Sequence, residues 1–225
     1  MPRIARTVVQ GFPHHVVQRG NNREEVFLSD EDKGVYLFLL KTYSEKWSST
    51  ILCYCLMPNH VHLLVRPSSE ESLQKMMQGI SLCYTQHVNR KYHRTGRLWE
   101  SRYHSCTVDQ EAYLWAVTRY IEQNPVRAAI AESPQDYRYS SAPAHFGLVY
   151  DPVLGEELFP EIQKRSYIEF MQSATSVAQM KEIRQSARTG RPLGTLKFVK
   201  NWRAGLGKNL PLYHMEDQER NRDEI

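Results

Sequence analysis

Two histidines one residue apart, His60 and His62, are the first side chains in this sequence whose spacing could do chemistry. They lie in Leu56-Met57-Pro58-Asn59-His60-Val61-His62-Leu63-Leu64-Val65, an apolar run that reads as strand. Strand side chains alternate faces, so positions 60 and 62 point the same way, about 7 Å apart. Two imidazoles on one face can share a metal ion; a half-polar strand face can equally carry histidines with no ligand. Further along, Tyr113, Val117, Tyr120 and Asn124 keep the spacing of one helical face, with Tyr120 and Asn124 a turn apart. If that face lies on the sheet surface bearing His60 and His62, two imidazoles, an amide oxygen and a phenol converge. A divalent cation held by nitrogen and oxygen ligands can polarise a phosphodiester. A tyrosine hydroxyl can then attack phosphorus and form a covalent intermediate. The free phenol, with a pKa of about 10, needs help from a cation or a base at neutral pH, and the sequence identifies no such base.

The elements that must position these residues are legible from periodicity and punctuation. His15-Val16-Val17-Gln18-Arg19 reads as a first strand closed by Gly20-Asn21-Asn22. Ser29-Asp30-Glu31-Asp32 offers a capping box for a helix carrying Val35, Phe38, Leu39, Tyr43 and Trp47 inward. A strand from Thr50 to Met57 follows, and Pro58-Asn59 turns it into the histidine strand. A second helix starts at Ser68-Ser69-Glu70-Glu71 with Leu73, Met76, Met77, Ile80, Tyr84 and Val88 on one face. A basic loop, a fourth strand over Tyr103 to Val108 and a helix capped by Asp109 and ended near Asn124-Pro125 complete the pattern. The order β-α-β-β-α-β with an appended helix is the split βαβ arrangement of ferredoxin-like folds, an α+β class with a four-stranded antiparallel sheet. Residues 1–146 read as the catalytic domain. The stretch 147–160 reads as a linker, and 147–225 as a mainly helical, basic extension ending in a frayed acidic tail.

Composition excludes several classes. The chain has 225 residues, 41% hydrophobic and 24% charged, enough for one sizeable domain plus an appendage. No apolar run approaches the length of a membrane span, and no apolar segment follows the basic Met1–Arg6 start as a secretory signal requires. Cys53, Cys55, Cys83 and Cys106 lack zinc-site spacing and suit reduced, partly buried thiols in the cytoplasm. Net charge is only +4, but its distribution is uneven. Arg90, Lys91, Arg94, Arg97 and Arg102 are interleaved with Tyr92, Trp99 and Tyr103, a pattern that suits phosphate contacts plus base stacking on single-stranded DNA. Eight basic residues between Lys181 and Lys208, among them Arg188, Arg191 and Lys197, face one acid, Glu182, and suit hairpin or flanking DNA. Arg19 and Arg23 flank the Asn-Asn turn, where DNA contact and turn chemistry are equally open.

Four blocks also carry a family resemblance. Tyr54-Cys55-Leu56-Met57-Pro58-Asn59-His60-Val61-His62-Leu63-Leu64-Val65 and Arg119-Tyr120-Ile121-Glu122-Gln123-Asn124-Pro125-Val126-Arg127-Ala128 resemble the signatures of the HUH single-strand transposases with one tyrosine nucleophile, the IS200-like enzymes. Val17-Gln18-Arg19-Gly20-Asn21-Asn22-Arg23 and Gly96-Arg97-Leu98-Trp99-Glu100-Ser101-Arg102 match in the same order, so the resemblance covers roughly residues 10–145. The asparagine at 124, the Thr189–Gly194 stretch and the long C-terminal part are most similar to the REP-associated subgroup. The resemblance implies His60, His62 and Asn124 as ligands of Mg²⁺ or Mn²⁺. It implies Tyr120 as the nucleophile, leaving a 5′-phosphotyrosine on single-stranded, hairpin-forming repeat DNA. It also implies a prokaryotic, nucleoid-associated cytoplasmic protein, monomer or homodimer. A non-catalytic repeat-binding protein and a relaxase or replication-initiator nickase are the competing readings.

Overall fold

The apolar segments pair into one antiparallel sheet. In chain order β1 (His14–Arg19), α1 (Asp30–Lys46), β2 (Ser49–Met57), β3 (His60–Pro67), α2 (Ser72–Lys91) and β4 (His104–Thr107) build the split βαβ unit, with strand order β2-β3-β1-β4. The structure is a computed structural model that describes residues 7–110 and 112–205. The expectations for Met1–Arg6, Leu206, Lys208 and the acidic tail lie outside the described residues. Among those described, no helix is long and apolar enough to cross a membrane.

The register fixes which side chains share a face. His62 pairs with Val17 and Cys55, His60 with Arg19 and Met57, and His15 with Leu64 and Cys106. Cross-strand partners lie on the same side of a sheet, so His15, Arg19, His60 and His62 share one surface of the two central strands. The opposite surface carries Val16, Val61, Leu63 and Val65, all fully buried beneath α1 and α2.

Ser29 and Asp32 form the expected capping box of α1. The buried seam of this helix is Asp32, Tyr36, Leu40 and Ser44 rather than the row read from sequence. Val35, Leu39, Tyr43 and Trp47 pack at its flank, and Phe38 is 69% exposed. Two apolar rows one residue apart have nearly the same period, and tertiary packing chose between them. The helix α2 buries all six residues expected of it, and Gly79 lets it close on α1, since a Cβ there would stand 2.1 Å from the Tyr43 ring.

Beyond β4 the chain forms α3 (Leu114–Glu122), α4 (Asn124–Arg127), α5 (Ala142–His145), α6 (Glu161–Gln172), α7 (Val177–Thr189) and α8 (Leu196–Gly205). Asp109 does not cap α3 through its side chain. Its carboxylate accepts from Thr195 N and Oγ1 at 3.2 Å, at the start of α8. Both sheet edges, which would otherwise offer unpaired backbone, are covered by later segments. Along β2, Leu56 N donates to Tyr139 O at 2.9 Å and Ser141 N to Tyr54 O at 3.0 Å. Along β4, Leu193 N donates to Thr107 O at 2.8 Å and Asp109 N to Leu193 O at 2.8 Å. The stretch 147–160, expected as a linker, lies against β2: Gly155 N donates to Ile51 O at 3.0 Å and Tyr54 Oη to Asp151 at 2.6 Å. Its turn-forming residues build a packed loop because each bend delivers a partner to the strand edge.

Candidate active site

Tyr120 is the residue around which the site closes. It sits on α3, whose inner side is apolar (Val117 and Ile121 fully buried) and packs on β2 and β3. That contact lays the Tyr120 ring over the histidine face: its centroid is 5.8 Å from His62 and 5.8 Å from His15, both edge-on. His60 lies next to His62, ring centroids 4.9 Å apart. Of the helical face read from sequence, Tyr120 therefore does meet the histidine-bearing strand face.

Both candidate ligand imidazoles are held by their Nδ1 atoms. His60 Nδ1 donates to Asn59 Oδ1 at 2.6 Å, and Asn59 Nδ2 donates in turn to Arg23 O at 3.0 Å. The Asn-Asn-Arg turn thus serves the site as a buttress: it orients Asn59, which orients His60. His62 Nδ1 meets His15 Nε2 at 3.0 Å in the buried interior. With the proton on His62 Nδ1, both histidines would offer Nε2 lone pairs to the same side, the arrangement in which a second hydrogen bond fixes a ligand's tautomer. Burial lowers the pKa of His60 to about 4, with the Arg19 charge adding to the shift, and lowers that of His15 to about 3. Burial also holds His62 well below the ordinary range, followed by the charges of His60 and His15. Neutral imidazoles are the ligand form. Among the described residues no group of three His, Cys, Asp or Glu side chains forms a cage, so a cation here would need an oxygen from another residue type or from substrate.

Asn124 follows a break in the helix. Gln123 ends α3 and Asn124 begins α4, yet the amide folds back: Nδ2 donates to Tyr120 O at 3.1 Å and Ile121 O at 3.0 Å, and Oδ1 accepts from Arg127 Nη2 at 2.9 Å. An amide oxygen has two lone pairs, so one remains.

The helix that carries Tyr120 is also fastened from behind. Glu122, fully buried, accepts from Ser141 Oγ at 2.5 Å, His145 Nδ1 at 2.6 Å and Tyr167 Oη at 2.8 Å. Arg119 donates to Phe170 O and Ser173 Oγ at 3.0 Å, and its guanidinium stacks 3.9 Å from the Phe170 ring centroid. Gln123 Nε2 donates to Met171 O at 2.9 Å. Residues 141–173 therefore clasp the helix that carries Tyr120, a role that sequence reading missed.

The basic residues divide. Arg19, Arg23, Arg90, Arg97, Arg102, Arg188, Arg191 and Lys197 are exposed. Lys91 is not a free cation: it donates to Glu31 at 2.8 Å, to the buried Asp32 at 2.9 Å and to Ser29 at 3.0 Å. Arg94 pairs with Glu24 at 3.4 Å. The interleaved aromatics are not a stacking platform either. Trp99 and Tyr103 are buried, and Tyr92 Oη donates to Asp32 at 2.7 Å. A buried carboxylate at the start of α1, Asp32, drew Lys91 and Tyr92 inward, which spacing within the loop alone could not reveal.

A ferredoxin-like four-stranded sheet thus presents a histidine pair to a tyrosine on an appended helix. The sequence profile of the IS200-like transposases matches residues 8–124, just over half of the chain, and the chain belongs to that family. A solved REP-associated tyrosine transposase, bound to a REP hairpin, shares the fold: TM-score 0.56, 15% identity, covering 71% of this chain and 94% of that one. A second solved structure, a candidate transposase from Deinococcus radiodurans R1, is 21% identical over 54% of this chain and 97% of its own, with a TM-score of 0.38 that carries no argument. No curated protein sequence matches significantly.

Proposed function

We propose that this IS200-like transposase cleaves and rejoins single-stranded, hairpin-forming repeat DNA through a metal-dependent 5′-phosphotyrosine intermediate. The observation that carries the reading is the Tyr120 ring, 5.8 Å from His62, above a histidine pair whose Nδ1 atoms are both engaged. His60, His62 and Asn124 would hold Mg²⁺ or Mn²⁺, a nitrogen and oxygen donor set within the range those ions accept. When bound, the cation supplies Lewis-acid polarisation of the scissile phosphodiester. Tyr120 Oη then forms a bond to phosphorus as the P–O3′ bond breaks. The phenol gives up its proton, and the departing O3′ ends as a hydroxyl. Attack by another strand's 3′-hydroxyl reverses these bond changes and rejoins DNA. His15 and Asn59 orient the two imidazoles, and the clasp around α3 holds Tyr120 above them.

The relative solved with a REP hairpin supports hairpin DNA as the substrate class. Arg19, beside His60 on the same sheet face, would hold phosphates near the scissile bond. Arg23, Arg90, Arg97 and Arg102 would hold flanking strand, and Arg188, Arg191 and Lys197 on the extension would hold hairpin. The substrate would be nucleoid DNA in the cytoplasm.

The test is a denaturing gel of protein incubated with end-labelled single-stranded hairpins drawn from repeats flanking the gene. Wild type with Mn²⁺ is expected to yield a covalent adduct and a shortened 3′-hydroxyl product, and Tyr120→Phe or His62→Ala neither. Tight hairpin binding by wild type, with no cleavage under any metal, would replace this reading with a non-catalytic repeat binder.

A further inference from the structure

Among the described residues, Arg127 is the cation whose guanidinium lies on the Tyr120 ring. It closes the short helix α4, and its Nη2 donates back to Tyr120 O and to Asn124 Oδ1. That anchoring lays the guanidinium over the Tyr120 ring, 4.6 Å from its centroid. Two lone-pair acceptors on one nitrogen fix the plane of the group, so the rest of the guanidinium is preorganised rather than free to rotate. The residue as a whole reaches solvent, and a second cation, Arg184 on α7, contributes to the positive field at Arg127. Among the described residues its bonded partners are a backbone carbonyl, an amide oxygen and a phenol ring, none of them anionic.

A simple helix-end role accounts for only part of this. A cation near a helix C-terminus satisfies final carbonyls, which explains the bond to Tyr120 O. It does not require an un-neutralised, oriented guanidinium on the ring of the attacking residue. A planar fork of N–H donors over the ring of the attacking residue suits a phosphate whose equatorial charge rises as the bond forms.

Resting on the transferase reading above, we propose that Arg127 is a catalytic residue that contacts a non-bridging oxygen of the scissile phosphate as Tyr120 attacks. The bond changes are those already given; Arg127 exchanges no proton or electron and stabilises the charge that accumulates on phosphorus-bound oxygen. Its role as an anchor for Asn124 and its role toward phosphate are compatible, because they use different N–H groups.

The experiment measures cleavage of two hairpin substrates, one with the native phosphodiester and one with a methylphosphonate at the scissile position, each diastereomer separately. Replacing one charged oxygen by methyl removes the group Arg127 would neutralise. Arg127→Ala is expected to slow native cleavage by about 10²–10³-fold, the usual effect of deleting one such donor, with hairpin affinity within about threefold. On one methylphosphonate diastereomer the same variant is expected to cleave within about threefold of wild type. Arg127→Lys, which keeps charge but not the fork, should fall between on the native substrate. Equal losses on native and both methylphosphonate substrates would mean that Arg127 only packs the helix end, and no loss on the native substrate would remove it from the reaction; either result overturns the proposal. Wild-type protein inert on the native substrate is a separate outcome, which sinks the transferase reading and this inference with it.

Discussion

Replacing Glu122 tests whether the clasp behind Tyr120 is a structural tie or an incidental contact. The carboxylate has no exposure to solvent and accepts three hydrogen bonds of 2.5–2.8 Å from Ser141, His145 and Tyr167. Glu122→Ala removes the shared acceptor, stranding the buried His145 and Tyr167 donors and leaving Ser141 Oγ only its longer bond to Tyr54 O at 3.3 Å. Hydrogen bonds to a charged group contribute about 1.5–3 kcal/mol each, but the three share one acceptor and do not add in full. Removing one side of such a buried network typically costs about 3–5 kcal/mol. Glu122→Gln keeps one acceptor oxygen, and the Tyr167 hydroxyl can rotate to accept from the new amide, so its cost should be about 1–3 kcal/mol. Urea denaturation followed by far-UV circular dichroism reads both. At a slope of about 2 kcal/mol/M, Glu122→Ala should move the midpoint down by about 1.5–2.5 M with the slope unchanged. Because Glu122 lies two residues from Tyr120, adduct formation should also fall at temperatures where the variant is still folded. A loss below about 1 kcal/mol for the alanine variant would refute the reasoning.

Three further outcomes follow from the same geometry. Arg119→Ala should cost about 2–4 kcal/mol by breaking its bonds to residues 170–179. It should also expose the α6–α7 connection to limited proteolysis, and an unchanged digestion pattern would count against the clasp. Lys91→Ala should lower the urea midpoint while leaving hairpin affinity within about twofold, since Lys91 is held by Glu31 and Asp32; a large affinity loss would return Lys91 to the DNA surface. His14 is fully buried, and burial, partly opposed by its bond to Phe12 O, lowers its pKa from 6.5 to about 4. The unfolded chain therefore takes up this proton first, so stability is full above pH 6.5, falls as pH drops toward 4 and levels off below. The shift of about 2.5 units corresponds to roughly 3 kcal/mol. Urea midpoints between pH 7 and 4 should show that slope in wild type and a flatter one in His14→Gln, and equal slopes would contradict it.

The sheet and the convergence of His60, His62 and Tyr120 were legible because they depend on local repeats: alternation in β3, four-residue spacing in α3 and turn residues at 58–59. The supporting groups were not. His15 reaches His62 across 47 positions, and Glu122 reaches Tyr167 across 45. No periodicity announces a bond between residues so far apart. Arg127 lay within a matched block, yet only the fold-back at Asn124 shows its guanidinium over the ring. The basic loop misled for a related reason. Spacing placed cations beside aromatics, but the buried Asp32, over fifty residues upstream, decided that Lys91 and Tyr92 turn inward. The C-terminal extension read correctly as helical, while its contacts with α3 and with both sheet edges required the folded chain.

The most direct test of the central claim is to locate the covalent bond. Wild-type protein would be trapped with Mn²⁺ and a single-stranded repeat hairpin, digested with nuclease and trypsin, and mapped by tandem mass spectrometry. The account predicts a nucleotide 5′-phosphate on the tryptic peptide Tyr120–Arg127, with fragments placing it on Tyr120. A nucleotide on any other residue, or cleaved DNA with no protein-linked phosphate, would contradict it.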